Sequence, residues 1–509
     1  MNNKYHPLNL YSRFADSAAT FPESPIYFDE MLPAFPELNL ATTYAATKDA
    51  IVHKAHQLKE LGIQKGDQVV IYKSAKFDTY LLAVAVSYIG AVPAMISFHL
   101  PTETMDVLCE RLAFPYLICD EETIGKCKQM KNLNPEKMIP LEQLLAVKVT
   151  RVYPQETLAP TDISYLTHTS GTTGIPKLIA HSANSMGWRI KFQREVMNEI
   201  DNKAGLLAFH ISPVHSRYNI GISSLMTFGF PFMPIANIDK HNIEQVMDTY
   251  QPYAFETHPN NFVQLAGWGK MNPKLFSSIK YLHSTFDAIN KETMATFLNC
   301  SKHQRPVFLQ IYGQSECGPM IIKKHTRESI KELNAREMGV GMPGLSATRI
   351  ADENGKVLPA CEKGNIHFHS KGRALTYFKE DERFQTCVYG EWWDTGDYGV
   401  IDENGVLFLL DRQVDLIENI ESNLAIEDLL LDQHDFLDEV VIIRNKEGRP
   451  QPIISVAEGY EMNWDAWWKS IQDMPYLNKP MVMKYEDIPR TATMKVQRLQ
   501  MEQELIAQS

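Results

Sequence analysis

Hydrophobic positions fall along most of this chain in two alternating rhythms. After the turn Leu61-Gly62-Ile63-Gln64-Lys65-Gly66-Asp67, the β-branched run Gln68-Val69-Val70-Ile71-Tyr72 has the pattern of a strand. Asp78 to Ile89 then predict a helix, and Ala91 to Ser97 a core strand. The stretch from Tyr80 to Phe98 is apolar enough to raise the question of a membrane span. Gly90 and Pro93 interrupt it, so a buried helix turning into a strand is expected, and no membrane segment. Comparable units recur after Tyr165, around Pro231 to Ile238 and from Ala254 to Leu282. Alternation of this kind predicts an α/β fold of mostly parallel sheets covered by helices.

Beyond about Leu345 the rhythm shortens. Strands separated by turn signals, Asp352-Glu353-Asn354-Gly355 and Asp402-Glu403-Asn404-Gly405 among them, predict a β-rich subdomain closing the larger body. After Asp411-Arg412 a smaller α+β segment follows, with apolar runs at Val440 to Ile443 and Ile453 to Ala457. The expected division is therefore a large domain over 1–410 and a small mobile one over 411–509. Trp464, Trp467, Trp468 and Ile471 fall at helical spacing and are expected in the core of the small domain.

Composition narrows the function classes. With 509 residues, 44% hydrophobic and 22% charged, the chain has the make-up of an ordinary globular protein with a large core. Its net charge of −12 argues against general nucleic-acid binding, which needs a basic face. Seven cysteines include no CxxC pair and no zinc-ligand spacing, so free thiols in a reducing, cytoplasmic setting are expected. The first thirty residues show no apolar core of a secretory signal.

Four strings carry candidate chemistry. Thr167-His168-Thr169-Ser170-Gly171-Thr172-Thr173-Gly174-Ile175-Pro176-Lys177 follows an apolar run. Its hydroxyls, glycine backbone and Lys177 suit a polyphosphate cradle, although Ser/Thr/Gly loops are also ordinary surface turns. No Gly-Lys-Ser/Thr follows, so it is not a Walker A motif. In Ile311-Tyr312-Gly313-Gln314-Ser315-Glu316, Tyr312 could stack a base and Glu316 hold a hard cation; a strand end with a surface carboxylate explains the same residues. In Trp393-Asp394-Thr395-Gly396-Asp397, Asp397 beyond a glycine turn could accept from ribose hydroxyls, or the turn could stand alone. Pro489 to Arg498 sets Lys495 in a turn-like stretch.

Taken together, in this order and spacing, the four strings resemble the adenylate-forming superfamily of acyl-CoA synthetases, peptide-synthetase adenylation domains and luciferase. Gly339-Val340-Gly341-Met342-Pro343-Gly344 and Asp411-Arg412 extend the resemblance over essentially the whole chain. It implies an ATP- and Mg²⁺-dependent enzyme that converts a small-molecule carboxylic acid, aromatic, medium aliphatic or small, to acyl-AMP, releases pyrophosphate and passes the acyl group to an acceptor. Carried over by position, Thr169, Ser170, Gly171, Thr172, Thr173, Gly174 and Lys177 would wrap phosphates, and Tyr312 would lie on adenine, with Asp287 and Ala288 at its border. Ser315 would sit near the α-phosphate, Glu316 on Mg²⁺, and Asp397 and Arg412 on the ribose, while Lys495 would bridge substrate carboxylate and α-phosphate. His215 matches the aromatic/His motif beside the acyl pocket, or is a satisfied core histidine.

That pocket is expected along His215 to Leu225, His283 to Ala288, Gly313 and Met338 to Met342, with Arg217 either binding an anion or serving as a structural ion pair. Four positions depart from the superfamily pattern: Val414 replaces the usual hinge Asp or Lys, while Glu421, Leu178 and Met494 stand where glycine is common. Glu421 would crowd the pantetheine path of CoA. The acceptor therefore stays open between CoA or a carrier-protein thiol, which the commonest members use, and an amine, as in related amide-bond synthetases. A non-catalytic nucleotide-binding protein is the remaining alternative, against which stands the presence of Lys177, Glu316, Asp397, Arg412 and Lys495 together.

Overall fold

The computed structural model describes residues 5–169, 175–284, 289–334, 336–457, 459–490 and 496–507. Among them the chain builds four sheets. The β-branched run expected as a strand is one: Gln68–Tyr72 pairs in parallel with Val92–Met95 on one side and Tyr116–Cys119 on the other. Val92–Met95 leads through parallel pairing to Ile163–His168, which turns back antiparallel onto Leu178–Ser182. A second, larger sheet runs Gly318–His325, Val307–Gln314, Tyr281–Ser284, Ala254–Thr257, Leu207–His210, Phe232–Pro234, Pro25–Tyr27, Ala41–Thr43, parallel except at its two ends.

Helices lie between these sheets. The helix Phe77–Tyr88 is buried at every position, which explains why its sequence is apolar all round instead of amphipathic. One core cluster contains Val69, Ile71 and Met95 from the first sheet, Phe209, Phe232 and Ala254 from the second, and the inner faces of Leu10–Thr20, Tyr44–Glu60, Ala183–Asn198 and Ser216–Thr227. The apolar stretch that could have been a membrane span is thus the centre of a layered α/β body, and no described helix is long and apolar enough to cross a membrane. Asp78 within that helix is not an error of pattern: it pairs with Lys73 at 2.6 Å and accepts the Ala34 N–H, so the buried charge is matched.

The β-rich region forms a mainly antiparallel sheet of Glu337–Gly339, Leu407–Arg412, Trp392–Ile401, Lys363–Ser370 and Ser346–Ala351. Beyond a short turn at Gln413–Asp415, Leu437–Arg444, Pro450–Val456 and Met481–Val482 make a three-stranded sheet under the helix Asn423–Gln433. The tryptophan expectation holds at one residue of three. Trp467 is fully buried, whereas Trp464 and Trp468 are 37% and 41% exposed. The helix Trp464–Ser470 is under two turns long and presents one narrow face to the sheet, so the neighbours at three and one residues lie off it.

Candidate active site

Parallel sheets place ligands at the carboxyl ends of their strands, where loops and helix starts converge. Here a cleft of about 850 Å³ opens at that edge of both large sheets. Ser74 follows Gln68–Tyr72, Ser97 follows Val92–Met95, Thr169 follows Ile163–His168, and Ile211, His258 and Ser315 follow strands of the second sheet. Thr169, Lys177, His215, Ser315, Glu316 and Arg412, six residues expected from separate motifs, line this one cavity. Ser170, Gly171, Thr172, Thr173, Gly174, Asp287, Ala288 and Lys495 lie outside the described residues.

The ends of the phosphate-loop string are pinned together. The Thr169 N–H donates to the Lys177 carbonyl at 3.0 Å, and the Lys177 N–H to Thr169 Oγ1 at 3.1 Å. Lys177 Nζ donates to the Tyr377 hydroxyl at 2.9 Å, and that hydroxyl donates to Glu316 Oε1 at 2.7 Å, with Lys177 and Glu316 3.7 Å apart. Cation and carboxylate are therefore held side by side through a phenol that the sequence reading missed. Glu316 is buried, and a single carboxylate of this kind could share a hard cation such as Mg²⁺ with the oxygens of a bound phosphate. Among the described residues no group of three His, Cys, Asp or Glu side chains could hold a metal by itself.

The strand Val307–Gln314 carries Tyr312, and a register shift at Gly313 turns its end into the cleft. Gly313 is required by close approach, since a Cβ there would lie 2.3 Å from the Gly318 carbonyl. Tyr312 donates its hydroxyl to Asp397 Oδ2 at 2.6 Å, and Arg412 Nε lies 3.5 Å from Asp397 Oδ1. Burial, then the Asp397 carboxylate, push the Tyr312 phenol well above its ordinary value. The pairing register explains the trio, for Asp397 and Arg412 face each other across Trp392–Ile401 and Leu407–Arg412. Asp397 does not stand beyond a turn, as the glycine implied. Gly396, at φ +74°, makes a bulge inside a continuous strand, and Thr395 Oγ1 donates to the Ile366 carbonyl there.

Arg189, also missed, braces the loop bearing Ser315 and Glu316. This buried side chain donates from Nε to the Gly372 carbonyl at 2.7 Å, from Nη1 to the Ser315 carbonyl and from Nη2 to the Glu316 carbonyl, both at 2.8 Å. His215 caps the helix Ser216–Thr227, its Nδ1 accepting the Arg217 N–H at 3.1 Å. With Nδ1 an acceptor, the neutral ring carries its hydrogen on Nε2, which sits 3.1 Å from Ser315 Oγ. Ser315 is thus hydrogen-bonded by a donor and is not prepared as a nucleophile. His168 is likewise committed at both nitrogens, to the Ser97 N–H and the Thr169 carbonyl.

The stretches expected as substrate walls fall in different places. His215, Arg217 and Gly313 line the cleft, but Met338 is packed in the core of the β-rich sheet, because its strand edge faces Ile321 and Leu407 instead of the cavity. Arg217 is an ion pair, giving two hydrogen bonds to Glu256. Glu421 is exposed and paired with Lys363 at 2.7 Å, and Val414 is exposed in the connecting turn. Leu178 is fully buried in its strand.

A family model described as AMP-binding enzyme matches residues 14–378. The chain belongs to that family. Its curated relatives include a 3-amino-2-hydroxy-4-methoxybenzoate diazotase of Streptomyces cremeus, 30% identical with 97% of this chain and 95% of the relative covered. A 2-succinylbenzoate–CoA ligase of a Geobacillus species is 23% identical, with 91% and 92% covered. Among solved structures, the O-succinylbenzoate Coenzyme A synthetase of Bacillus subtilis in complex with AMP superposes with a TM-score of 0.81 over 98% of both chains at 18% identity. This AMP-binding enzyme is accordingly an adenylate-forming acid ligase with the layered α/β architecture of its family.

Proposed function

We propose that this AMP-binding enzyme activates nitrite as its oxyacid and delivers the activated nitrogen to an aromatic amine, acting as an ATP-dependent diazotase. The adenylating half rests on one observation: Thr169, Lys177, Glu316 and Arg412 line a single cleft, and Arg412 is joined through Asp397 to Tyr312. The acceptor half is supported by the full-length likeness to a diazotase at 30% identity, against 23% for the CoA ligase above. Glu421 in place of a small residue fits an acceptor that does not thread a pantetheine arm.

The chemistry needs the same machine as carboxylate activation. A nitrite oxygen attacks the α-phosphorus of ATP and pyrophosphate leaves, giving a nitrosyl–AMP anhydride. The amine nitrogen then attacks the nitroso nitrogen and gives up a proton while AMP leaves with the oxygen, and the N-nitroso product takes up a proton and loses water to give the diazonium ion. In this reading Lys177 and the 169–174 segment hold the phosphates, Tyr312 lies against adenine, and Asp397 with Arg412 holds the ribose. Glu316 would hold Mg²⁺, which neutralises phosphate charge when bound. The His215 N–H, relayed by Ser315, would be directed at the α-phosphate, and Lys495 would stabilise charge on the transferring group. No residue is asked to form a covalent intermediate.

Incubating the enzyme with ATP, Mg²⁺, CoA, isotopically labelled nitrite and a panel of aromatic amines that includes aminophenols and aminobenzoates, then trapping diazonium by azo coupling, tests the proposal. An azo product carrying the label, with AMP formed in step, is expected. Acyl-CoA formed from the benzoate and CoA instead, with no azo product, would establish the thioester reading.

A further inference from the structure

Beside the cleft lies a small chamber of about 50 Å³, bounded by the helix Ser216–Thr227 and the strands Ala254–Thr257 and Tyr281–Ser284. Ile211 and Arg217 line both spaces. Most of the chamber wall is aliphatic or aromatic, but Arg217, Glu256 and His283 meet there. Arg217 gives Nε and Nη2 hydrogens to the two Glu256 oxygens at 2.8 and 2.7 Å, and His283 Nδ1 lies 3.0 Å from Glu256 Oε2. Burial alone would push the Glu256 carboxyl up, but Arg217 and His283 outweigh it and hold the group below its ordinary value.

Hydrogen positions follow from this. A carboxylate only accepts, so the hydrogen between Glu256 and His283 sits on Nδ1, and the 3.1 Å approach of Arg217 Nη2 to that nitrogen reflects two donors aimed at one oxygen. Burial lowers the His283 pKa, so the ring is neutral and Nε2 is a bare acceptor. Among the described residues that Nε2 has no hydrogen-bond partner, and neither has Arg217 Nη1. Both residues are buried, at 7% and 6% exposure. One unused donor and one unused acceptor, both out of water, call for a ligand group that supplies the complement of each.

Charge decides which group. Arg217 and Glu256 cancel and His283 is neutral, so an incoming carboxylate would be an uncompensated charge in an apolar chamber. A hydroxyl carries both complements without charge, an oxygen that can accept from Nη1 and a hydrogen that can go to Nε2. Gly221 keeps the space beside Nη1 open, for a Cβ there would lie 3.1 Å from it.

We propose that Arg217, Glu256 and His283 form a recognition site for a neutral hydroxyl substituent of the aromatic substrate, remote from the reacting nitrogen, and that the site disfavours an anionic substituent. The proposal rests on the diazotase reading for the identity of the aromatic partner. Calorimetric titration of the full chain, without nitrite, with aniline, the three aminophenols and the matching aminobenzoates tests it. The best aminophenol should bind about tenfold or more tighter than aniline, as expected where a site is built to hydrogen-bond a hydroxyl, and the aminobenzoates no better than aniline. Arg217→Gln and His283→Phe should each narrow that gap, with ATP affinity in the same preparations reporting whether they fold. Gly221→Ala, which crowds Nη1 while leaving the three residues intact, should narrow it too. Equal affinity for aminophenols and aniline, or preference for the aminobenzoates, overturns the proposal. A hydroxyl preference without any azo product in the trapping assay would sustain this site and remove the nitrite reading alone.

Discussion

Arg189 offers the sharpest test of how the fold holds its chemistry. Its guanidinium, 1% exposed, joins three backbone carbonyls that belong to the loop bearing Ser315 and Glu316 and to the neighbouring segment at Gly372. Gly318 and Gly372 lie flat on its stem, since a Cβ on either would come within 2.8 Å of it. Arg189→Met keeps much of the stem but leaves three carbonyls without their donor, at about 1 to 3 kcal/mol each. Relief from burying a guanidinium offsets part of this, so a net loss of about 3 to 5 kcal/mol follows, the range seen when a buried charged network is broken. In a body of this size the thermal midpoint should fall by roughly 5 °C. The loop should also lose its setting. Displacement of Glu316 and Ser315 by about 1 Å should cost about a hundredfold in acid-dependent pyrophosphate exchange. Thermal melts and exchange kinetics on the purified variant check both. A variant with the wild-type midpoint and exchange rate would refute the bracing role.

Three further outcomes follow from the geometry. Tyr377→Phe removes the hydroxyl between Lys177 and Glu316, and the KM for ATP should rise about tenfold in the exchange assay, as for loss of one charge-assisted hydrogen bond. Lys495→Ala should lower adenylate formation by about a hundredfold or more while ATP still binds by calorimetry; exchange at the wild-type rate would remove Lys495 from the mechanism. Burial pushes the Asp411 carboxyl up to about 7. A raised folded value means the native state binds the extra proton, so this group favours folding below the ordinary carboxylate range and loses that contribution as pH rises through about 7. Asp411→Asn should therefore flatten the fall of the thermal midpoint between about pH 4 and pH 7.

The parts legible in the sequence are those whose signal is local. Gln68–Tyr72 announced itself by a β-branched run after a glycine turn, and the Thr169 to Lys177 string by its density of hydroxyls and glycines. Tyr377 and Arg189 gave no such signal, because their partners lie 200 and 126 residues away in Lys177 and Ser315, and their neighbours in sequence are those of an ordinary strand and helix. Glu256 was hidden for the same reason: a carboxylate in Ala254–Thr257 reads as a surface position until the fold brings Arg217 and His283 against it. Gly396 misled in a different way, since a positive φ serves a bulge as well as a turn and only the pairing partner tells them apart. For Trp464 and Trp468, helical spacing carried no information about how wide the buried face would be.

Exchange of labelled pyrophosphate into ATP, with Mg²⁺ present and with nitrite or a carboxylic acid added in turn, tests the central claim most directly. Exchange should start only when the oxyacid is added and be strongest with nitrite. Tight ATP binding with no exchange from nitrite or any acid would contradict it.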